Sequence, residues 1–447
     1  MNFEVMKEYI LESLAKENIS EYEIYYSSES STSVDTLNRE INSFSSSSTA
    51  GVCLRVCYEG KIGYASTELF TEEQMRSLAP RAKMNAAATE KPDTVGIYSG
   101  KEDYLPLPKS EYTPLSTAKL RSVALDISDA LYRGSEKIKD GTSSSALCTN
   151  VTNYLYNSHG VALSSSSGVN FILAEAVVTD GENSESAYES AVYNSADDVD
   201  LISRRATEAA QARLGASLVE TGEYSVVFDG KRMRSLLSAF SSAFSAKSAQ
   251  MGMSRLKGKV GERIASDIVT ITDDPMREGA VMKVNFDAEG VPTRRKAVVE
   301  GGVLKTLLHN RETSLKDGVT TTANASKARY SSPVAIRPYA FVIEPADMSE
   351  EEIIKLAYDG ILVTELKGIH AGANAITGDF SLESSGIRIR EGKLCEPVRS
   401  FTVSGNFFDL LKSIEALSDT VDLGVSISPT TFGAPMTLVR GLKVSGK

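Results

Sequence analysis

The segment spanning residues 368–406, GIHAGANAITGDFSLESSGIRIREGKLCEPVRSFTVSGN, constrains the fold most, because glycines stand wherever its apolar alternation stops. Phe380 and Leu382, then Ile387 and Ile389, alternate with polar residues as half-buried strands do, and Glu391-Gly392-Lys393 supplies a turn between two such runs. The pattern predicts a hairpin. Gly368, Gly372 and Gly378 punctuate the preceding loop, where a residue without Cβ permits positive φ or a close approach of backbone. Loops of this kind carry binding residues, so His370, Gly372, Asn374, Gly378 and Asp379 are candidate contacts for a peptide or a partner, beside the plainer reading of loop scaffolding.

Strand patterns recur along the chain. After an amphipathic first helix, MNFEVMKEYILESL, residues 22–26 alternate as a strand, and the serine-rich runs at 27–33 and 43–48 are expected to be turns or edges. GVCLRVCYEGKIGYAS predicts a hairpin about Glu59-Gly60-Lys61, and Thr71 opens a helix with the capping pattern TEEQ. The order strand, EGK turn, strand, helix returns near the C-terminus, where Phe408, Leu411, Ile414 and Leu417 predict the closing helix. That recurrence fits a duplication, and equally a common supersecondary arrangement. Leu120, Val123, Ile127 and Leu131 trace a helix ending at Gly134; a hairpin follows about Asn157-Ser158-His159-Gly160, with His159 exposed in its turn. Residues 197–214 predict another helix, and 231–250 an amphipathic helix with Met233, Leu236, Leu237, Phe240 and Phe244 on one stripe.

These elements predict an α+β fold: two α+β units with mixed or antiparallel sheets, hairpins and flanking helices. Residues 1–90 form an N-terminal α+β domain and 91–115, with Pro92, Pro106, Pro108 and Pro114, a linker. A helix-hairpin-helix segment at 116–220 completes the N-terminal unit, and 221–447 make the C-terminal domain.

Composition bounds the function. Across 447 residues, 41% are hydrophobic and 24% charged, and no apolar run approaches the roughly 20 residues that span a bilayer. No membrane role and a cytoplasmic location are expected. The net charge of −11 argues against nucleic acid as a partner, since phosphate recognition needs clustered Lys and Arg. Cys53, Cys57, Cys148 and Cys395 are too scattered for a disulfide framework. Cys53 and Cys57 share a strand face, which fits small buried side chains better than a metal pair. Neither a GxSxG elbow nor a GxxxxGK[ST] loop occurs. Asp273, Asp274, Asp287 and Glu289 could gather about a hard cation such as calcium, although Gly290 and Pro292 favour solvated turn residues.

GANAITGDFSLESSGIRIREGK with CEPV and TVSGN, preceded by NSHG at 157–160, GERIASDIVTITDDP at 261–275 and FDAEGVPTRRKAVVEGGVL at 286–304, resembles the TldD/PmbA family, described as modulators of DNA gyrase and as metallopeptidases. In the zinc-binding TldD branch, HExxxH on a helix holds the metal and provides the general base. Counting back from GERIASD, those positions fall on Leu237, Ser238 and Ser242, which offer zinc no nitrogen, thiolate or carboxylate. The chain has only His159, His309 and His370, no two within helical reach, and the tail from residue 419 lacks the cysteine that the zinc branch uses. No metal site and no catalytic residue are therefore expected here. The pattern resembles the PmbA/TldE branch, which implies a TldD-like HExxxH subunit as partner and zinc carrier, and extended or unfolded peptides as substrate; a homodimer of the chain alone stays open. The alternatives are a metallopeptidase using ligands among His159, His309, His370, Cys395 and carboxylates, or a gyrase modulator without proteolysis.

Overall fold

The computed structural model describes residues 1–90, 95–100, 102–108, 112–425 and 430–447. Six antiparallel strands form the first sheet: β1 (Glu21–Leu37), β2 (Glu40–Tyr58), β3 (Lys61–Thr67), β4 (Ser143–Asn157), β5 (Ala162–Thr179) and β6 (Ser184–Val192), in the order β3-β2-β1-β4-β5-β6. Helices α1 (Phe3–Lys16) and α2 (Glu72–Ala88) cover one end, burying Met6, Ile10, Met75 and Leu78 against Ile24, Val52, Leu54 and Val56. Helices α3 (Thr117–Gly134) and α4 (Ala196–Gln211) cover the other, with Leu120, Ile127 and Ile202 on Val34, Ala146 and Ile172. Each such side chain contributes roughly 1.5–3 kcal/mol when fully buried.

The serine runs are strand, which corrects the expected turns. Ser27 pairs with Gly51 and Ser33 with Ser45 in an unbroken antiparallel ladder, and the reversal lies at Asn38-Arg39, both at positive φ (52° and 71°). Ladder hydrogen bonds are indifferent to side chains, so small hydroxyls on two open faces erase the alternation without ending the strand. The predicted Glu59-Gly60 turn is present, at φ 50° and 70°. Of the 91–115 linker, residues 91–94, 101 and 109–111 lie outside those described.

A second, mixed sheet takes β7 (Ser217–Leu218), β8 (Gly222–Phe228), β9 (Ile271–Asp273), β10 (Lys296–Glu300), β11 (Val303–Leu304), β14 (Ala340–Ile343), β15 (Gly360–Lys367), β16 (Asp379–Arg390), β17 (Lys393–Asn406), β18 (Ile414–Leu423) and β19 (Thr431–Ser445), whereas β12 (Ala325–Ser326) and β13 (Ala335–Ile336) pair separately. Its order is β11-β10-β9-β14-β19-β8-β15-β16-β17-β7, with β18 on β19. The helices of this half are α5 (Gly230–Phe240), α6 (Ala246–Gln250), α7 (Arg311–Asp317), α8 (Glu350–Ala357), α9 (Ile369–Gly372) and α10 (Phe407–Lys412). The β16–β17 hairpin turns at Glu391-Gly392 as predicted, with φ 48° and 71°. Phe380 and Leu382 of β16 join the core under α5, whereas Ile387 and Ile389 join the one under α8, so this strand is buried on alternate faces along its length. The fold is α+β.

Two helix expectations need correction. Residues 231–250 do not make one helix: α5 stops at Phe240, residues 241–244 tighten into a 3₁₀ turn, and Ser245 is extended before α6. Phe240 stacks on Phe407 at 4.6 Å and Phe244 meets Phe341 edge-on at 5.3 Å, and those aromatic seats fix where the chain turns. The closing helix is only α10; Ile414 and Leu417 lie on β18 and are buried there, because an apolar pair three apart fits a bulged strand as well as a helix.

Candidate functional site

Three segments singled out in the sequence converge on one hollow. Asp229 caps α5 by accepting from Arg232 N at 2.7 Å, which aims the helix's polar stripe away from the core. That stripe, the loop from Gly368 through α9, and described residues of the C-terminal tail border an open cavity of about 570 Å³. Arg234, Ser235, Ser238 and Ala239 line it from α5, Ile369, His370 and Ala373 from α9, and Gly424, Thr430 and Phe432 from the tail. Hollows of about 720 and 730 Å³ lie between α3 and α4 and beside β5, but neither gathers the segments carrying the family resemblance.

The three positions counted for HExxxH do not share a surface. Leu237 is fully buried in the core, Ser238 lines the cavity, and Ser242 is exposed on the 3₁₀ turn. The positions with that spacing that do face the cavity are Arg234, Ser235 and Ala239, one turn earlier. Counting from a distant motif cannot locate a helix face; the apolar phase of Met233, Leu236, Leu237 and Phe240 could have shown that Leu237 points inward.

The candidate loop residues divide. His370 lines the cavity with Ser238, whereas Asp379 lines a separate hollow of about 430 Å³ with Arg255 and Ile376. Asn374 organises the loop: its Oδ1 accepts from Ile376 N at 3.0 Å and Thr377 N at 3.3 Å. Asp379 Oδ1 accepts from Asn406 Nδ2 at 2.9 Å, and that bond holds its carboxyl below the usual range. Gly378 takes φ 84°, and a Cβ on Gly372 would stand 2.3 Å from Ser381 O. His159 is exposed in its turn, as expected, and places Nε2 3.0 Å from Glu21 Oε2.

The acidic group at 273–289 is not a set of solvated turns, contrary to expectation. Asp273, Asp287 and Glu289 are buried, and each spends its oxygens internally. Asp273 accepts from Lys296 Nζ (3.0 Å), Asn324 Nδ2 (2.7 Å) and Tyr339 N (2.7 Å). Asp287 accepts the backbone N–H groups of Glu289, Val291 and Ala325 at 2.9–3.1 Å, and Glu289 accepts from Arg311 N at 2.9 Å. Burial holds Asp287 and Glu289 above the usual carboxylate range, and repulsion from Glu289 adds to it at Asp287. Gly290 and Pro292 do make a turn, but the first sheet covers it, with Gly290 against Leu155 and Val161. Among the described residues no group of three His, Cys, Asp or Glu side chains could hold a metal ion, and the four cysteines are free thiols.

The zinc of the family's catalytic branch does not fit this cavity. Its lining offers one imidazole, one guanidinium, hydroxyls and apolar groups, with neither a thiolate nor a carboxylate among the described residues. Nor is any described helix long and apolar enough to cross a membrane.

Comparisons with known proteins agree with this topology. Residues 221–446 match the PmbA/TldA metallopeptidase C-terminal domain, and residues 22–86 match PmbA/TldA metallopeptidase domain 1. An uncharacterized protein of Methanocaldococcus jannaschii is 28% identical over 418 residues, 92% of this chain and 94% of its own length. A metalloprotease PmbA homolog of Haemophilus influenzae is 24% identical over 392 residues, 86% and 83% of the two chains. Among solved structures, a proposed modulator of a DNA gyrase from Thermotoga maritima superposes with TM-score 0.89 at 28% identity, over 99% of this chain and 100% of that one. TldE from Thermococcus kodakarensis superposes with TM-score 0.86 at 23% identity over 98% and 100%, a likeness of fold. With residues 221–446 of its 447 matched by one domain and residues 22–86 by another, this chain belongs to the PmbA/TldD family of metallopeptidases.

Proposed function

We propose that this chain is a PmbA/TldE-like subunit of a cytoplasmic zinc peptidase, without a metal site of its own, and that a TldD-like partner bearing HExxxH supplies the zinc and the general base. The observation that supports this reading is the donor set of the cavity. The helix face and the C-terminal tail that would furnish ligands in the zinc branch both reach it, and there they present Arg234, Ser235, Ala239 and Gly424. None of these binds zinc at neutral pH. The substrates are extended or poorly folded peptides, which can lie in a hollow of this size and add backbone hydrogen bonds to a strand edge.

The test mixes the purified chain with a TldD-type subunit and an unfolded peptide. Hydrolysis by the mixture, and not by this chain alone, is the expected result. Hydrolysis by this chain without the partner, abolished by a chelator, overturns the assignment in favour of a self-sufficient metallopeptidase.

A further inference from the structure

Resting on that reading, we propose that the cavity bounded by α5, α9 and the tail is an anion-recognition site for a peptide carboxylate, with the Arg234 guanidinium as its principal donor. A guanidinium carries five N–H donors in a planar fork. Arg234 spends Nε on Asp422 Oδ1 at 2.5 Å and, among the described residues, makes no other hydrogen bond. Asp422 thus fixes the plane of the guanidinium from one side and leaves the Nη edge, which fits the two oxygens of a carboxylate.

Two further observations point to the same ligand. The described lining of the cavity contains no carboxylate, whereas it contains Arg234, His370 and the hydroxyl of Ser238, so apart from Asp422 on Arg234 Nε its donors meet no internal acceptor of full charge among the described residues. The backbone is also cut back around the guanidinium. A Cβ on Gly424 would stand 2.7 Å from Arg234 Nη1 and 3.1 Å from Cζ, and Gly424 is not at positive φ, so the glycine serves space and not a turn. Phe432 gives the remaining wall an apolar surface for the methylenes behind a carboxylate. A cationic side chain therefore faces the cavity, and it selects anionic substrate groups without any chemistry of its own.

The carboxylate can come from a Glu or Asp side chain or from the peptide C-terminus. Fluorescein-labelled unstructured peptides of one length distinguish these sources: internal Glu against Gln, and free acid against C-terminal amide. Anisotropy is measured with the full chain, alone and with the TldD-type subunit. At low salt the peptide bearing the recognised carboxylate should bind about tenfold more tightly than its neutral counterpart, a preference that fades toward 1 M salt. Arg234→Met and Gly424→Ala should both erase it, and Arg234→Lys should restore part of it, because charge returns without the fork. Circular dichroism checks that each variant is folded. Loss of preference on amidation assigns the site to the C-terminus, and loss on Glu→Gln assigns it to a side chain. Equal binding of acidic and neutral peptides, no binding of either, or a preference that survives Arg234→Met refutes the carboxylate site. Hydrolysis by the mixture without carboxylate preference would leave the subunit assignment standing while ending this inference.

Discussion

Glu23 on β1 carries the sharpest energetic prediction. Its side chain is 1% exposed, with Oε2 4.0 Å from Arg55 Nη1 and Oε1 4.0 Å from Lys327 Nζ, whose side chains are 5% and 2% exposed. Arg55 belongs to the same sheet, whereas Lys327 comes from the segment after β12, so one carboxylate joins the two halves of the molecule. At an effective dielectric constant near 20, each 4 Å contact is worth about 4 kcal/mol before desolvation. Glu23→Gln removes both and leaves the buried Lys327 ammonium and the Arg55 guanidinium, which keeps its bond to Gly96 O, without this carboxylate, at a cost of about 3–5 kcal/mol net. Lys327→Met removes one contact and the ammonium's place over the Tyr25 ring, 4.3 Å away, but leaves Glu23 facing Arg55, and costs about 2 kcal/mol. The double variant should be less damaged than the sum by about 1–3 kcal/mol, since the ammonium that loses its carboxylate in Glu23→Gln is then absent. Because a chain of this size need not unfold in one step, hydrogen exchange resolved by peptide is the suitable assay, read on both β1 and residues 325–337. A Glu23→Gln variant whose protection falls by under about 1 kcal/mol on both segments, or a double variant whose losses simply add, refutes the reasoning.

Three other outcomes follow from the geometry. Leu237→His should destabilise the fold by about 2–5 kcal/mol without creating zinc affinity, because the imidazole would enter the core; metal titration and thermal unfolding check it. The Asp287–Glu289 pair binds protons more tightly folded than unfolded, with Asp287 pushed up to about 8, so its contribution is fully present below the unfolded pKa near 4 and lost as pH rises toward the folded value. Repulsion from Glu289 adds to burial in raising Asp287, against the opposing pull of its three backbone N–H bonds; Glu289→Gln should therefore flatten part of the decline in stability between pH 5 and 8, seen by urea titration across that range, whereas an unchanged slope contradicts the account. Gly372→Ala should displace α9 from Ser381 O, weakening hydrogen-exchange protection of residues 369–379 while leaving β1–β6 untouched.

The sequence revealed those parts of the fold where burial alternates with exposure and where glycine marks a reversal. The turns at Glu59-Gly60 and Glu391-Gly392, α3 with its Leu120–Leu131 stripe, and the α+β class were legible for that reason. The serine ribbon was not, because its ladder is made by backbone and carries no apolar period. The break after Phe240 was hidden because apolar spacing continues to Phe244 through a tighter turn. For the site, the poverty of metal donors could be read directly from three scattered histidines. The meeting of Arg234, His370 and Gly424 could not, since their closeness depends on how α5, α9 and the end of β18 pack, and no local pattern encodes that. The burial of Asp287 and Glu289 was missed because a turn sequence says nothing about what the rest of the chain lays over it.

Metal stoichiometry after stripping with a chelator and reloading with zinc tests the central claim most directly. The account predicts well below one zinc per chain, unchanged by His370→Ala. Close to one tightly held zinc per chain, lost on that substitution, would contradict it.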